Sequence, residues 1–391
     1  TFVSGCILPA DRLRFLKLFD LVFAMNELPK LPDMIRQYGI VTPASLKMGE
    51  EITEQPVIRP IAPLFSKADS INPSAHMDLF WNICPNQPSK FEAFIPIQNG
   101  CNKFCTYCAV PYTRGREVSR PSADILDELK NLVESNYKSI TLLGQNVNSY
   151  GLDKKGEEIG FAELLRRVGE YGKVSGREFW VYFTSPHPRD MSDEVIEVIS
   201  QYDCLGKQIH IPIQSGDENM LQRMNRHHGL ATYRHIIQTI RKVLPTATIF
   251  TDIIVGFTKE SEEEFENTRR AMEEFKYNMA YIAQYSVRPG AVSSQWEDDV
   301  PKEVKKERYH ILTEELMKHS LVYNQNLIGT TVKMLVEGHD RKSGYLTGHT
   351  EGKIVMRFAS DDTSLIGCIV DVEVTQATPL SIEGNFVRRH D

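Results

Sequence analysis

The feature that most constrains this chain is an alternation. Between residues 91 and 286, six short apolar runs that read as strands are separated by stretches of helical periodicity. The runs are FEAFIPIQ from Phe91, SITLLGQ (139–145), EFWVYFTS (178–185), KQIHIPIQ (207–214), TIFTDIIVGF (248–257) and NMAYIAQYS (278–286). Helical stretches such as SADILDELKNLVES after Pro121 and SEEEFENTRRAMEEF after Glu260 lie between them. Six β-α repeats predict an α/β fold with parallel strands and right-handed crossovers. Several runs are apolar on both faces, so the sheet is expected to curl into a partial (β/α)6 barrel with helices outside and a filled interior. Reactive side chains in such folds gather on loops at the C-terminal ends of strands.

One of those loops carries the strongest motif. After FEAFIPIQNG come Cys101, Cys105 and Cys108, spaced Cys-x3-Cys-x2-Cys. A trio this tight can hold three corners of a cubane iron-sulfur cluster and leave the fourth iron open. Structural zinc wants four ligands, and no fourth Cys or His stands at a usual spacing. Polar residues and glycines recur at other strand ends: Gly144, Gln145, Asn146 and Asn148, then Thr184, Ser185 and His187, then Gln214, Ser215 and Gly216. Each is also an ordinary turn residue, but their repetition points to a pocket at the barrel mouth. Arg223 could neutralise a carboxylate or phosphate there, or decorate a solvated helix face. Arg114, Arg116 and Arg120, with Tyr112 and Thr113, are candidates for a phosphate-contacting patch, unless they pair with acids such as Glu117 and Asp124. His210 is expected to be a core or barrel-lining residue, and His187 is given no catalytic role. Cys204 and Cys368 read as small hydrophobes and Cys84 as a lone thiol.

The chain divides into four parts. Residues 1–40 resemble the tail of an α/β domain, with TFVSGC as a strand running into Gly5 and Cys6; the start of the pattern is expected to lie upstream of Thr1. Residues 41–88 form a proline-rich linker, and residues 89–326 the barrel, including a long helix entered through Asp299 and Pro301. Residues 327–391 carry VKMLVEG, GYLTGHT, KIVMRFA and IGCIVDVEVTQA, short strands separated by glycine-containing turns, as in a small β-barrel. A net charge of -7 excludes a protein that coats nucleic acid nonspecifically, so any such contact must be local. No apolar run reaches the roughly 18 residues of a membrane span, so no membrane partner is expected. Seven cysteines, three of them clustered, suit a reducing compartment, with the cytoplasm as the default.

Taken together, CNKFCTYC, the barrel repeats, SITLLGQNVNSYG, IHIPIQSG, TDIIVGF, YSVRPG and the small C-terminal barrel resemble the methylthiotransferase family of radical S-adenosylmethionine enzymes, in its tRNA-modifying branch. The resemblance implies that Cys101, Cys105 and Cys108 bind a 4Fe-4S cluster whose open iron holds S-adenosylmethionine. It further implies that Tyr107 lies beside this cofactor and that Gly144, Gln145, Asn146, Gln214 and Arg223 line its site. The implied reaction takes hydrogen from carbon 2 of an N6-isopentenyladenosine beside the tRNA anticodon, inserts sulfur and methylates it. The implied partners are the tRNA anticodon stem-loop and an electron donor of the flavodoxin or ferredoxin type. Cys6, in SGC, resembles the third ligand of the family's second 4Fe-4S cluster; the first two have no match in this sequence. The C-terminal barrel resembles a TRAM domain, with His349 where that signature usually has arginine, and with Lys333, Arg341, Lys342, Lys353 and Arg357 as candidate phosphate contacts. Alternative substrates within the family are threonylcarbamoyladenosine in tRNA and a ribosomal-protein aspartate. Outside it, the alternative is a noncatalytic, metal-containing RNA-binding protein.

Overall fold

The apolar runs form parallel strands in a computed structural model that describes residues 2–5, 7–8, 11–19, 21–37, 77–81, 83, 87 and 89–390. Cys6, Cys84 and nearly all of the proline-rich segment lie outside the described residues. Two short parallel strands come first, β1 (Phe2–Gly5) and β2 (Leu21–Ala24). Six more follow: β3 (Glu92–Pro96), β4 (Ser139–Leu143), β5 (Trp180–Phe183), β6 (Gln208–His210), β7 (Thr248–Val255) and β8 (Met279–Gln284). Strands β3, β4 and β5 pair in that order and in parallel, as do β6, β7 and β8. A parallel bridge between Val181 and Leu205 joins the two halves. There the Val181 N–H donates to the Cys204 carbonyl at 2.7 Å and the Gly206 N–H to the Val181 carbonyl at 2.9 Å. The six runs read from sequence thus make one wall in chain order, the open β/α barrel expected.

Helices α1 (Ser122–Glu134), α2 (Phe161–Ser175), α3 (Asp193–Gln201), α4 (Leu230–Val243), α5 (Glu262–Phe275) and α6 (Lys302–Gln325) accompany the strands. Helix α1 buries Ile125, Leu129 and Val133 at four-residue spacing, which aligns them on one face. Helix α5 starts from a reciprocal cap, with the Ser261 hydroxyl on the Glu264 N–H and the Glu264 carboxylate on the Ser261 N–H. Alternate strand residues, including Ile95, Ile140, Leu142, Val181 and Ile249, share one core cluster with Leu129, Leu164 and Ile236 of the helices. Each such side chain stabilises the fold by about 1.5–3 kcal/mol when fully buried, so this layer holds the wall in its curve. The other strand face departs from the filled interior expected: Thr141, His210 and Asp252 are half-buried and Tyr281 is exposed. Glu260 is buried against Arg308 at 2.7 Å.

The last five strands, β9 (Thr331–His339), β10 (Tyr345–Thr350), β11 (Val355–Ala359), β12 (Ile369–Ala377) and β13 (Ser381–Arg389), close a small barrel in the order β9-β10-β11-β13-β12. Its turn around Gly352 presses on the N-terminal ends of the large barrel's strands. Thr248 Oγ1 donates to the Gly352 carbonyl at 2.6 Å, Tyr182 Oη to the Glu351 carbonyl at 2.9 Å, and Lys353 Nζ to Ser139 Oγ at 3.3 Å. Trp180, Tyr182, Leu335 and Ile369 add an apolar seam with Phe91 packed against it. The small barrel therefore sits at the end of the large one opposite the cysteine loop.

Candidate iron-sulfur and cofactor site

The cysteine loop leaves β3 through Gly100, which adopts φ +83. A Cβ there would lie 2.1 Å from the Arg116 carbonyl oxygen, so only glycine fits this crossing. The Gly100 N–H donates to Gln145 Oε1 at 2.6 Å and the Cys101 N–H to the Gly115 carbonyl at 3.1 Å. These contacts present Cys101, Cys105 and Cys108 to a cavity of about 190 Å3 at the C-terminal ends of the strands. Tyr107, Gln145, Asn146 and Gln214 line the same cavity, together with Ser185, His187, Arg226 and Asp252. Larger cavities, of about 690, 580 and 320 Å3, open elsewhere among the described residues. Convergence of thiols and polar groups, rather than volume, picks out this one.

Two lining residues hold left-handed backbone, Ser185 at φ 56 and Gln214 at φ 71, as does Phe104 in the loop at φ 52. Such conformations cost on the order of 1–3 kcal/mol each and persist where surroundings enforce them. At Gln214 the enforcement is visible: its N–H donates to the Asp252 carbonyl at 2.8 Å, and its carbonyl accepts the Ile254 N–H at 2.9 Å.

Gly144 stands behind the wall. A Cβ on it would meet Gln98 Oε1 at 3.1 Å, the same oxygen that accepts the Asn146 N–H at 3.1 Å. Arg223, expected at the cofactor, instead donates to Glu264 at 2.8 Å and to the Thr258 and Lys259 carbonyls at 3.2 Å each. The guanidinium on the cavity belongs to Arg226, three residues later and not anticipated from sequence. Arg120 leaves the expected phosphate patch as well. It is buried and ion-paired to Glu128, a carboxylate two helical turns away. Arg116 is exposed, with its guanidinium 5.8 Å from the Phe104 ring centroid. In the small barrel Lys333 pairs with Glu178, Lys342 with Glu383 at 3.4 Å, Arg357 with Glu383 at 2.8 Å and His349 with Glu337 at 2.8 Å.

Burial pushes the Cys101 thiol up to about 12, with Glu117 and the other two cysteines adding to the rise. Burial raises Cys108 too. Burial thus favours the protonated thiols at Cys101 and Cys108, and bound cationic charge such as iron would favour their thiolates. Among the described residues no three Cys, His, Asp or Glu converge closely enough to hold one metal ion. The cysteines of a cubane bind separate irons, so the trio need not converge on one ion to hold one. The wall also offers unpartnered polar atoms. Asn146 Oδ1 and His187 Nε2 are buried without a hydrogen-bond partner. Burial and the nearby Arg226 charge drive the His187 pKa far down, so its ring stays neutral. Its Nδ1 already accepts the Arg189 N–H at 3.1 Å. A neutral ring that accepts at Nδ1 carries its proton on Nε2, so the wall offers one orphan acceptor and one orphan donor, which suits a polar ligand with groups of both kinds.

Residues 95–272 match the Radical SAM superfamily and residues 325–387 the TRAM domain. A tRNA-2-methylthio-N(6)-dimethylallyladenosine synthase from Clostridium perfringens (strain SM101 / Type A) is 36% identical over 391 residues, covering 98% of this chain and 81% of that protein. The chain belongs to this family of radical S-adenosylmethionine enzymes. A synthase of the same name from Cronobacter sakazakii is 36% identical across 100% of the chain and 77% of its own length. One from Clostridium botulinum (strain Okra / Type B1) is 41% identical over 307 residues, 78% of the chain and 67% of the relative. Membership sets aside the noncatalytic RNA-binding alternative. Among solved structures, coproporphyrinogen III oxidase from Escherichia coli is 14% identical, covers 74% of this chain and 68% of its own, and has a TM-score of 0.44, too distant to add to the family match.

Proposed function

We propose that the chain methylthiolates carbon 2 of an N6-isopentenyl (dimethylallyl) adenosine beside the tRNA anticodon. The observation that carries this reading is the convergence of Cys101, Cys105 and Cys108 with Tyr107, Gln145, Asn146 and Gln214 on one cavity at the barrel mouth. The relatives named for this nucleoside favour it over threonylcarbamoyladenosine or a ribosomal-protein aspartate. The three cysteines would hold a 4Fe-4S cluster, and the rest of the wall would hold S-adenosylmethionine. Bound there, the pair would supply one-electron chemistry that cleaves a sulfonium and yields a carbon radical.

The chain's own residues bind, orient and shield. Asn146 Oδ1 is an acceptor without a partner, suited to the ammonium or ribose hydroxyls of the cofactor, and the neutral His187, whose Nδ1 accepts, leaves Nε2–H as a donor suited to a carboxylate or hydroxyl oxygen. Asn146 is fixed by donating to Glu117 and Asp190 at 3.1 Å each, and Asp190 is held by Lys103 at 2.5 Å. Tyr107 packs edge-on against Phe257, with ring centroids 6.4 Å apart, closing the wall against water. The TRAM barrel supports tRNA binding. Residues 89–326 and 327–391 would be the catalytic and RNA-binding units, and residues 1–40 a unit in which Cys6 would help ligate a second 4Fe-4S cluster. A flavodoxin- or ferredoxin-type donor would supply the electron in the cytoplasm. Among the described residues no helix is long and apolar enough to cross a membrane.

The test is mass spectrometry of tRNA nucleosides from cells with and without the full-length gene, paired with anaerobic incubation of the cluster-loaded protein with dithionite and S-adenosylmethionine. Loss of the 2-methylthio nucleoside and formation of 5'-deoxyadenosine are expected. An unchanged nucleoside profile would remove the substrate; a bound cluster that forms no 5'-deoxyadenosine would remove the radical chemistry.

A further inference from the structure

We infer that Arg226 is a positioning residue that sets the reduction potential of the cluster held by the cysteine trio. The inference rests on that trio binding a 4Fe-4S cluster, but not on the identity of the RNA substrate. Arg226 is buried, and its guanidinium reaches three acceptors on two segments. Nη1 lies 3.6 Å from Cys105 Sγ and 3.4 Å from Tyr107 Oη, and Nη2 donates to the Pro212 carbonyl at 2.8 Å. A nitrogen at 3.6 Å from sulfur is at the usual length of an N–H to thiolate hydrogen bond, and cluster potentials follow both net charge and hydrogen bonds to the ligating sulfurs.

The segment carrying Arg226 is locked to the cysteine loop rather than merely near it. Thr106 donates its N–H to the Met224 carbonyl at 3.1 Å and its hydroxyl to the Arg223 carbonyl at 2.9 Å. Asn225 Nδ2 donates to the Phe104 carbonyl at 2.8 Å. The residues on either side of Arg226, Asn225 at φ 56 and His227 at φ 51, are both left-handed, a costly pair that turns the side chain inward past the end of the preceding helix. Strain spent on aiming a single buried cation at a cluster ligand is what a fixed electrostatic role requires.

The direction follows from charge. Reduction adds one electron to the cluster, so an adjacent fixed cation in a low-dielectric wall stabilises the reduced state more than the oxidised one. Arg226 therefore raises the potential and brings the cluster within reach of its donor. Lysine would keep the charge but lose the forked geometry, and glutamine would keep one weak donor and lose the charge.

The experiment is a redox titration followed by electron paramagnetic resonance, on anaerobically reconstituted full chain carrying Cys6→Ala so that the trio alone supplies cluster ligands. No RNA or S-adenosylmethionine is added. Relative to that parent, Arg226→Gln should shift the midpoint potential downward and Arg226→Lys should shift it less, with iron and sulfide per chain unchanged. Because loss of a buried cation can also unfold the loop, the parent is measured a second way, with arginine labelled by 15N and the reduced cluster probed by electron-nuclear double resonance. A 15N coupling is expected in the parent and should vanish in Arg226→Lys. An unchanged or raised potential in cluster-loaded Arg226→Gln would overturn the inference, as would a parent cluster with no arginine coupling. A parent that binds no cluster at all would remove the cluster reading itself. Failure to modify tRNA, with the potential shift intact, would count only against the substrate.

Discussion

Replacing Lys353 should loosen the small barrel from the floor of the large one, and the order of two variants makes the argument testable. Lys353 holds φ 58, with its ammonium 3.3 Å from Ser139 Oγ, 3.9 Å from Glu92 and 4.5 Å from the Tyr182 ring centroid. A largely desolvated cation-π contact contributes about 2 kcal/mol and a hydrogen bond from a charged donor about 1.5–3 kcal/mol. Burial opposes them: desolvation lowers the Lys353 pKa despite the carboxylates of Glu92 and Glu337. Taking roughly half the gross gain as lost to desolvation, Lys353→Ala should destabilise the seam by about 2 kcal/mol. Alanine keeps the left-handed strain. Glycine loses the same contacts but relieves about 1 kcal/mol of that strain, so Lys353→Gly should be the more stable of the two. Urea denaturation gives the difference, and hydrogen exchange at the amides of Trp180 and Thr248, which donate to the Lys138 and Lys207 carbonyls, places it at the seam. If alanine matches wild type, or glycine falls below alanine, the account of this turn is wrong.

Two further outcomes follow from the same geometry. Gly100→Ala adds left-handed strain of about 1–2 kcal/mol and drives a Cβ against the Arg116 backbone oxygen, which no rotamer can move. The cysteine loop must shift, and since a displacement of about 1 Å can cost about a hundredfold in rate, 5'-deoxyadenosine formation per bound cluster should fall at least about tenfold; a wild-type rate would refute the tight crossing. Glu351 at the seam is pushed up by burial to about 7 from 4.5, with Lys207 and Lys333 opposing and Asp203 and Glu178 reinforcing the rise. Its folded form holds a proton over a range where the unfolded chain has lost it, so this contribution is greatest below pH 4.5 and declines as pH rises to about 7. A shift of that size is worth on the order of 3 kcal/mol. Thermal unfolding of Glu351→Gln should therefore vary less across that window than wild type, and parallel profiles would remove Glu351 as the cause.

Features with a local cause were legible in the sequence. The six strands announce themselves because each buried face must supply isoleucine, leucine or valine at alternate positions, and Ile95, Ile140, Leu142 and Ile249 do so. The cysteine trio is legible because its three members stand close together on one loop. Strand β13 was not read, since only Ile382 and Gly384 are buried before Asn385–Arg389 turn to solvent, leaving too short an alternation to stand out. Lys353 looked like a phosphate contact because a lysine in a turn is ordinarily solvated. Only the approach of the other barrel, from residues Glu92, Ser139 and Tyr182, makes it a half-buried pin.

Arg223 and Arg226 show most sharply where sequence reasoning stops. Both follow the fourth barrel strand, and nothing in MLQRMNRHH ranks one above the other as a site residue. The choice is made elsewhere in the chain. Glu264, which caps α5 forty-one positions after Arg223, captures that guanidinium and takes it off the cavity. The helix carrying Arg223 ends there, and the left-handed turn at Asn225 carries the backbone round so that Arg226 meets Cys105 and Tyr107. Asparagine tolerates that conformation better than most residues, so Asn225 is the one local hint of a turn. The hint says that the chain bends, not what the bend brings together; that depends on Thr106, Phe104 and Pro212, which the fold supplies from two other segments. A site built on a barrel mouth is legible loop by loop, but the electrostatic environment of its cysteines arises between loops, and only the folded chain states it.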